Sequence, residues 1–219
     1  MFCFLIDKIN RLMAAMNLLQ IKSSLFGDDG QSSRLANEFV AALLERNPGA
    51  ELVVRDLVQD PVPHLDPARL GAFGAKENAS AEQRAVLAYS DGLIAELRQA
   101  DVLVLGLPMY NFGVPSQLKA WYDHVARAGV TFRYTDKGPQ GLLTGRKAYI
   151  FAARGGEYAA SGNDWQAQFV RVMLGFIGIT DVQFVFAEGL AISQARREAA
   201  LAAARGALRK LVAQTRLAA

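Results

Sequence analysis

The chain is poor in the side chains that usually build metal and disulfide scaffolds: among 219 residues there is one cysteine, Cys3, and there are two histidines, His64 and His124. No intrachain disulfide can form, and no Cys/His set exists for a zinc site. The chain also lacks a strong charge of one sign. Its 24 Lys and Arg stand against 21 Asp and Glu, and the net +3 is spread thinly. A nucleic-acid face needs clustered cations, so no nucleic acid is expected as a partner. Long apolar runs are absent too. The longest uncharged stretch, 102–118, is broken by Pro108, Asn111, Gly113 and Pro115, short of the roughly 18 to 20 apolar residues of a membrane helix. No membrane is expected as a partner. What is present is a globular composition, 52% hydrophobic and 21% charged.

Residues 1–15 (MFCFLIDKINRLMAA) do not read as a signal peptide, because FCFLI is too short and Asp7, Lys8 and Arg11 follow it rather than precede it. They read as an extension without function ahead of Met16, and residues 16–219 as one domain. From Met16 the chain alternates short β-rich runs with amphipathic stretches, the pattern of crossover units on a parallel sheet. Strands are expected at 17–22, 51–57, 102–107, 147–153 and 182–187. Helices are expected after Ser32 or Ser33 up to Asn47, from Ser80 to about Ala100, at 117–126, at 165–177 and at 194–213. Ser80 and Gln83 have capping-box spacing, the connection from Pro61 to Pro67 reads as a loop, and residues 130–138 as a small hairpin. The result is a single three-layer α/β domain. Ligands of such sheets bind beyond the carboxyl ends of the strands, which directs attention to three loops.

The first, Ser23 to Ser33, has neither GxGxxG nor GxxxxGK[ST], yet its hydroxyls and amides at a helix start suit a phosphate. The second is Pro108-Met109-Tyr110-Asn111-Phe112-Gly113-Val114-Pro115, where two aromatics flank an amide and two prolines stiffen the backbone. It is built to lie along a flat heterocycle. The third, Arg154-Gly155-Gly156-Glu157-Tyr158, combines a cation with glycines that let backbone amides approach a ligand. Each also fits a plainer role: Ser32 or Ser33 as an N-cap, Tyr110 and Phe112 as core, Gly155-Gly156 as a turn.

Taken together, KSS near the first strand, QS at the first helix, PMYNF followed by QLK, ARAGVTFRYTDKGPQGLLTGRKA, RGG and GFIGITDVQFVFAEG resemble the FMN-dependent NADH:azoreductases, or NAD(P)H:quinone oxidoreductases, of the flavodoxin-like superfamily. The resemblance runs from Met16 to about Ala191. It implies a flavodoxin-like fold with strand order 2-1-3-4-5, bound FMN, NADH or NADPH as electron donor, and a homodimer with active sites at the interface. Carried onto this chain, it implies FMN contacts from Ser24, Gly30, Gln31 and Ser32 at the phosphate, Met109, Tyr110, Asn111 and Phe112 along the isoalloxazine, and Ala153, Arg154, Gly155 and Gly156 at the pyrimidine side. Family members often carry Ser where this chain has Gly30 and Ala153.

With the chemistry carried by the flavin, no catalytic side chain is required. Quinones and aromatic azo compounds are the expected acceptors in a ping-pong exchange. Backbone amides of Arg154, Gly155 and Gly156 are expected near the electron-rich edge of the ring, and Phe112, with Phe132 and Tyr134 from the partner subunit, as apolar walls. The TFRY strand reads equally as a packed ribbon. A flavodoxin-type electron carrier is the alternative, set against the mildly basic charge; a flavin-free binding protein of the same fold is another. His124 reads as a packing residue, His64 as exposed, and Cys3 as no nucleophile. The cations Arg196, Arg197, Arg205, Arg209 and Lys210 read as a solvated outer face around Leu201, Ala204, Leu208 and Leu211. Lacking a signal or anchor, the protein is expected in the cytoplasm.

Overall fold

A computed structural model of the chain describes residues 16–75 and 78–215, so the extension 1–15 lies outside the described residues. Seven strands and six α-helices follow in order: β1 Asn17–Lys22, α1 Gln31–Arg46, β2 Glu51–Asp56, α2 Pro67–Phe73, α3 Ala81–Gln99, β3 Val102–Pro108 and α4 Ser116–Val125. Then come β4 Phe132–Thr135, β5 Gly138–Gly141, β6 Lys147–Ala153, α5 Trp165–Ile177, β7 Asp181–Ala187 and α6 Gln194–Gln214. The main sheet has the order β2-β1-β3-β6-β7 with every pairing parallel, which is 2-1-3-4-5 once β4 and β5 are set aside as a separate antiparallel hairpin. This is a flavodoxin-like α/β arrangement.

Side-chain alternation along the strands divides the core in two. Leu18, Val102, Val104, Tyr149 and Phe151 pack under Leu35, Phe39 and Leu43 of α1 and Ala204, Leu208 and Val212 of α6. On the other face Leu19, Ile21, Leu103, Leu105, Ala148 and Ile150 pack with residues of α3, α4 and α5, among them Leu93, Trp121 and Leu174. β3, the middle strand, is buried along its whole length, as a continuous apolar run covered on both faces should be. Among the described residues no helix is long and apolar enough to cross a membrane.

Two local expectations need correction. The connection after β2 contains a helix, α2, opened by Asp66, whose carboxylate accepts the Arg69 amide, with Pro67 at the first helical position. That pair is a start signal in its own right. And α1 is capped by neither Ser32 nor Ser33: it begins at Gln31 behind Gly30, which has extended dihedrals and no side chain to offer. Elsewhere the capping box of α3 forms in both directions between Ser80 and Gln83.

Candidate functional site

The loops after β1, β3 and β6 meet at the carboxyl edge of the sheet and enclose a cleft of about 310 Å³. Ser24, Gly30, Gln31 and Ser32 line it from the first loop, Met109 and Tyr110 from the second, and Ala153, Arg154 and Gly155 from the third. A fourth loop, after β7, closes it with Leu190 and Ala191.

At one end α1 starts without a side-chain cap, so its first-turn amides have no intrahelical partners. The hydroxyls of Ser32 and Ser33 are fully buried and unpartnered among the described residues. Ser32 lines the cleft, and its open hydroxyl, next to unpaired amides and a positive helix end, forms a receptor for an anion. The two acids of the loop do not spoil it. Asp28 is held by the Lys22 ammonium at 2.6 Å and by Asn37, and those hydrogen bonds keep its carboxyl below the usual range. Asp29 is paired with Arg34 at 2.7 Å.

Gly30 has a steric reason. A β-carbon there would overlap Ser24 Oγ, so the space that a serine at this position would need is filled by Ser24, whose hydroxyl accepts the Phe26 amide. Gly30→Ala is expected to weaken flavin binding about tenfold by displacing Ser24, a shift within the 1–3 kcal/mol range of overpacked sites. The double variant Ser24→Gly with Gly30→Ser should restore most of it in a flavin fluorescence titration.

The second loop stores strain. Asn111 and Phe112 both have positive φ, 49° and 67°, in a two-residue turn closed by Tyr110 and Gly113, which exchange amide-to-carbonyl bonds of 3.3 and 3.0 Å. For a non-glycine residue this conformation costs about 1–3 kcal/mol. It persists because the loop is pinned from three sides. Gln166, buried at the start of α5, donates to the carbonyls of Pro108 and Gly113, both at 2.8 Å. The Leu25 amide donates to the Tyr110 hydroxyl at 3.0 Å, and the Met109 amide to the Ala153 carbonyl. The turn holds Phe112 66% exposed and outside the cleft lining, its ring edge-on to Tyr158 at 5.9 Å. There Phe112 joins Val114, Trp165 and Phe169 in an apolar hollow of about 510 Å³. Asn111 is exposed at the turn and does not line the cleft.

The third loop differs from expectation in its charge. Arg154 offers no free cation: its guanidinium is fully buried, bonded to Asp164 at 2.5 Å and Glu188 at 3.1 Å and laid over Phe186 at 4.8 Å. Its backbone amide is also spent, on the Ala187 carbonyl at 2.9 Å. Gly156 accepts from Gly189 and lies just outside the cleft lining. That leaves the amides of Gly155, Gly156 and Glu157 as the open donors of the loop among the described residues. Phe132 and Tyr134 sit on the hairpin away from the cleft. Phe132 is buried against Phe176, ring centroids 4.2 Å apart, whereas Tyr134 is 74% exposed.

Gln166, Glu188 and Arg197 were not picked out by sequence reasoning as parts of the site. Glu188 accepts from Arg154 and from the amides of Tyr158 and Ala159, and Arg197 lines the cleft instead of belonging to a solvated face. His124 is a packing residue, fully buried, with Nδ1 3.0 Å from the Ala120 carbonyl oxygen and its ring edge-on to Phe73 and Tyr89. His64 is exposed at the rim of the apolar hollow. Among the described residues no group of His, Cys, Asp and Glu is arranged to hold a metal.

A family model described as flavodoxin-like fold matches residues 16–212. The chain is 56% identical over 194 residues to an FMN-dependent NADH:quinone oxidoreductase of Alcanivorax borkumensis, covering 88% of this chain and 98% of that one. It is 54% identical to FMN-dependent NADH:quinone oxidoreductase 6 of Burkholderia lata, covering 87% and 97%. Among solved structures, an azoreductase from Bacillus anthracis superposes with a TM-score of 0.84 at 26% identity, over 91% of this chain and all of that one. An FMN-dependent NADH-azoreductase from the same species, solved in complex with FMN, superposes with a TM-score of 0.79 at 25% identity over the same shares.

Proposed function

The chain belongs to the family with the flavodoxin-like fold, and from that premise we propose that it is an FMN-dependent NADH:quinone oxidoreductase that also cleaves aromatic azo compounds. The observation that carries this reading is the cleft itself: a buried, unpartnered Ser32 hydroxyl and an uncapped helix start at one end, and Met109, Tyr110 and the open Gly155 amide at the other. Relatives more than half identical carry the quinone reductase name, and the structural neighbours are azoreductases.

In this reading Ser24, Gly30, Gln31, Ser32 and the first amides of α1 hold the FMN phosphate, Met109 and Tyr110 form the wall along the ring, and Asn111 and Phe112 stand at the exposed turn that continues it. Ala153, Arg154, Gly155 and Gly156 border its pyrimidine side. When bound, FMN supplies two-electron chemistry, accepting hydride from NADH or NADPH and passing the pair to the acceptor in ping-pong order. The protein's part is to bind, orient and exclude water. The amides of Gly155 and Gly156 stabilise negative charge at the ring edge, a role the Arg154 amide, already bonded, does not share.

Phe112, and Tyr134 reaching over from the partner subunit, are free to wall a flat acceptor. Phe132 supports Tyr134 from behind, its ring edge-on at 5.5 Å. The exposed Phe112, Trp165 and Tyr134 support a homodimer that covers them and completes the active sites, with residues 16–219 as the working unit. A soluble nicotinamide donor fits a cytoplasmic place of action.

The test is turnover of NADH with a benzoquinone and with an azo dye by FMN-loaded protein. Parallel double-reciprocal plots are expected for both acceptors, and a sedimentation mass of two chains. Protein that gains no flavin absorbance when FMN is added overturns the reading.

A further inference from the structure

We propose that Arg197 is the counter-ion of the cofactor's phosphate and sets the preference of the cleft for a phosphorylated flavin; the inference rests on the FMN reading above. α1 and α6 both start at the carboxyl edge of the sheet and pack side by side on one face. Their alignment is marked by the ion pair of Arg205 with Glu38 at 2.9 Å. Eight residues, or about 12 Å of helix, back along each axis stand Arg197 and Gly30. Arg197 therefore lies beside the start of α1, and it lines the same cleft as Gly30, Gln31 and Ser32.

Its charge is otherwise unused. Neighbouring Arg196 pairs with Glu157 at 2.9 Å, Arg34 with Asp29 and Arg154 with Asp164 and Glu188, whereas among the described residues Arg197 has no carboxylate within ion-pair distance. Nor does it serve its own helix. It occupies the first turn of α6, where a cation opposes the helix dipole. A cation placed against its helix's interest, half-buried, without an acid, and lining the same cleft as the buried Ser32 hydroxyl that lacks a partner is placed for an anion from outside. The phosphate monoester is the part of FMN that meets this end of the cleft.

The experiment compares the apoprotein's affinity for FMN and for riboflavin, which lacks the phosphate, in the natural chain and in Arg197→Gln and Arg197→Lys, by flavin fluorescence at two salt concentrations. Arg197→Gln should weaken FMN binding about tenfold, the size of a charge-assisted hydrogen bond to phosphate, leave riboflavin unchanged, and flatten the salt dependence of FMN binding. Arg197→Lys should recover part of the loss, and the melting temperature should not fall. Equal losses for FMN and riboflavin, or an unchanged FMN affinity with an altered KM for NADPH, overturn the proposal. If the natural chain binds no FMN, it is the underlying reading that fails.

Discussion

Arg154→Ala is expected to destabilise the protein by about 3 kcal/mol, the low end for breaking a buried ion pair, lowering its melting temperature by about 9 °C for a chain of this size. The guanidinium is fully buried, while Asp164 and Glu188 retain 11% and 17% side-chain exposure, which is why the low end applies. The loss comes mainly from what is left behind. Asp164 caps α5 through the Ala167 amide, and Glu188 gathers the amides of Tyr158 and Ala159. Both carboxylates would remain under the protein surface with their shared cation gone. Three elements are tied at this point: the end of β6, the start of α5 and the loop after β7. Their separation should loosen Gly155 and Gly156, so flavin affinity is expected to fall along with stability. Both acids are held by the one nitrogen Nη1; Arg154→Lys keeps the charge but loses the planar guanidinium laid over Phe186, and should fall between. Calorimetry together with a flavin titration checks both effects; an alanine variant as stable as the natural chain would show that the triad contributes nothing net.

Gly141→Ala is expected to cost a similar amount, about 3 kcal/mol, the upper end for overpacking, because the obstacle is backbone. A β-carbon at Gly141 would run into the main chain of Gly178 and Ile177. Gly178 ends α5 in the left-handed region with φ 107°, and the Leu143 amide donates to the Ile177 carbonyl at 2.8 Å. The hairpin β4–β5 is clamped to the end of α5 by this contact, and neither side can retreat without breaking hydrogen bonds. Thermal melting gives the loss of stability. Hydrogen exchange should locate it at residues 131–143; a variant with unchanged melting temperature and exchange would contradict the clamp.

What was legible in the chain was local. β3 announces itself by an unbroken apolar run, α3 by Ser80 and Gln83, and the parallel sheet by the alternation of strands and helices; each depends on residues close in sequence. The three loops stand out by composition at strand ends, but each also fits a plainer role as cap, core or turn, and it is their occurrence together that points to one ligand. The rest depends on contacts between distant residues. Arg154 meets partners 10 and 34 residues away, so its burial as an ion triad leaves no periodic trace, and a lone arginine beside glycines reads as a free cation. Arg197 belongs to a helix that looks uniformly basic on its outer side; only the packing of α6 along α1 turns it toward the cleft. Ser32 and Ser33 were read as caps because hydroxyls near a helix start usually are. Gly30, forced by the volume of Ser24, takes the cap position and leaves the Ser32 hydroxyl open for a ligand in the cleft.

The central claim is that the cleft holds a flavin reduced by a nicotinamide and reoxidised by a flat acceptor. Mixing the FMN-loaded protein with NADH, without oxygen and without acceptor, tests it most directly. The account predicts bleaching of the visible flavin absorbance with one NADH consumed per flavin, and full recovery on adding a benzoquinone or an azo dye. Flavin absorbance that stays unchanged under excess NADH and NADPH would contradict it.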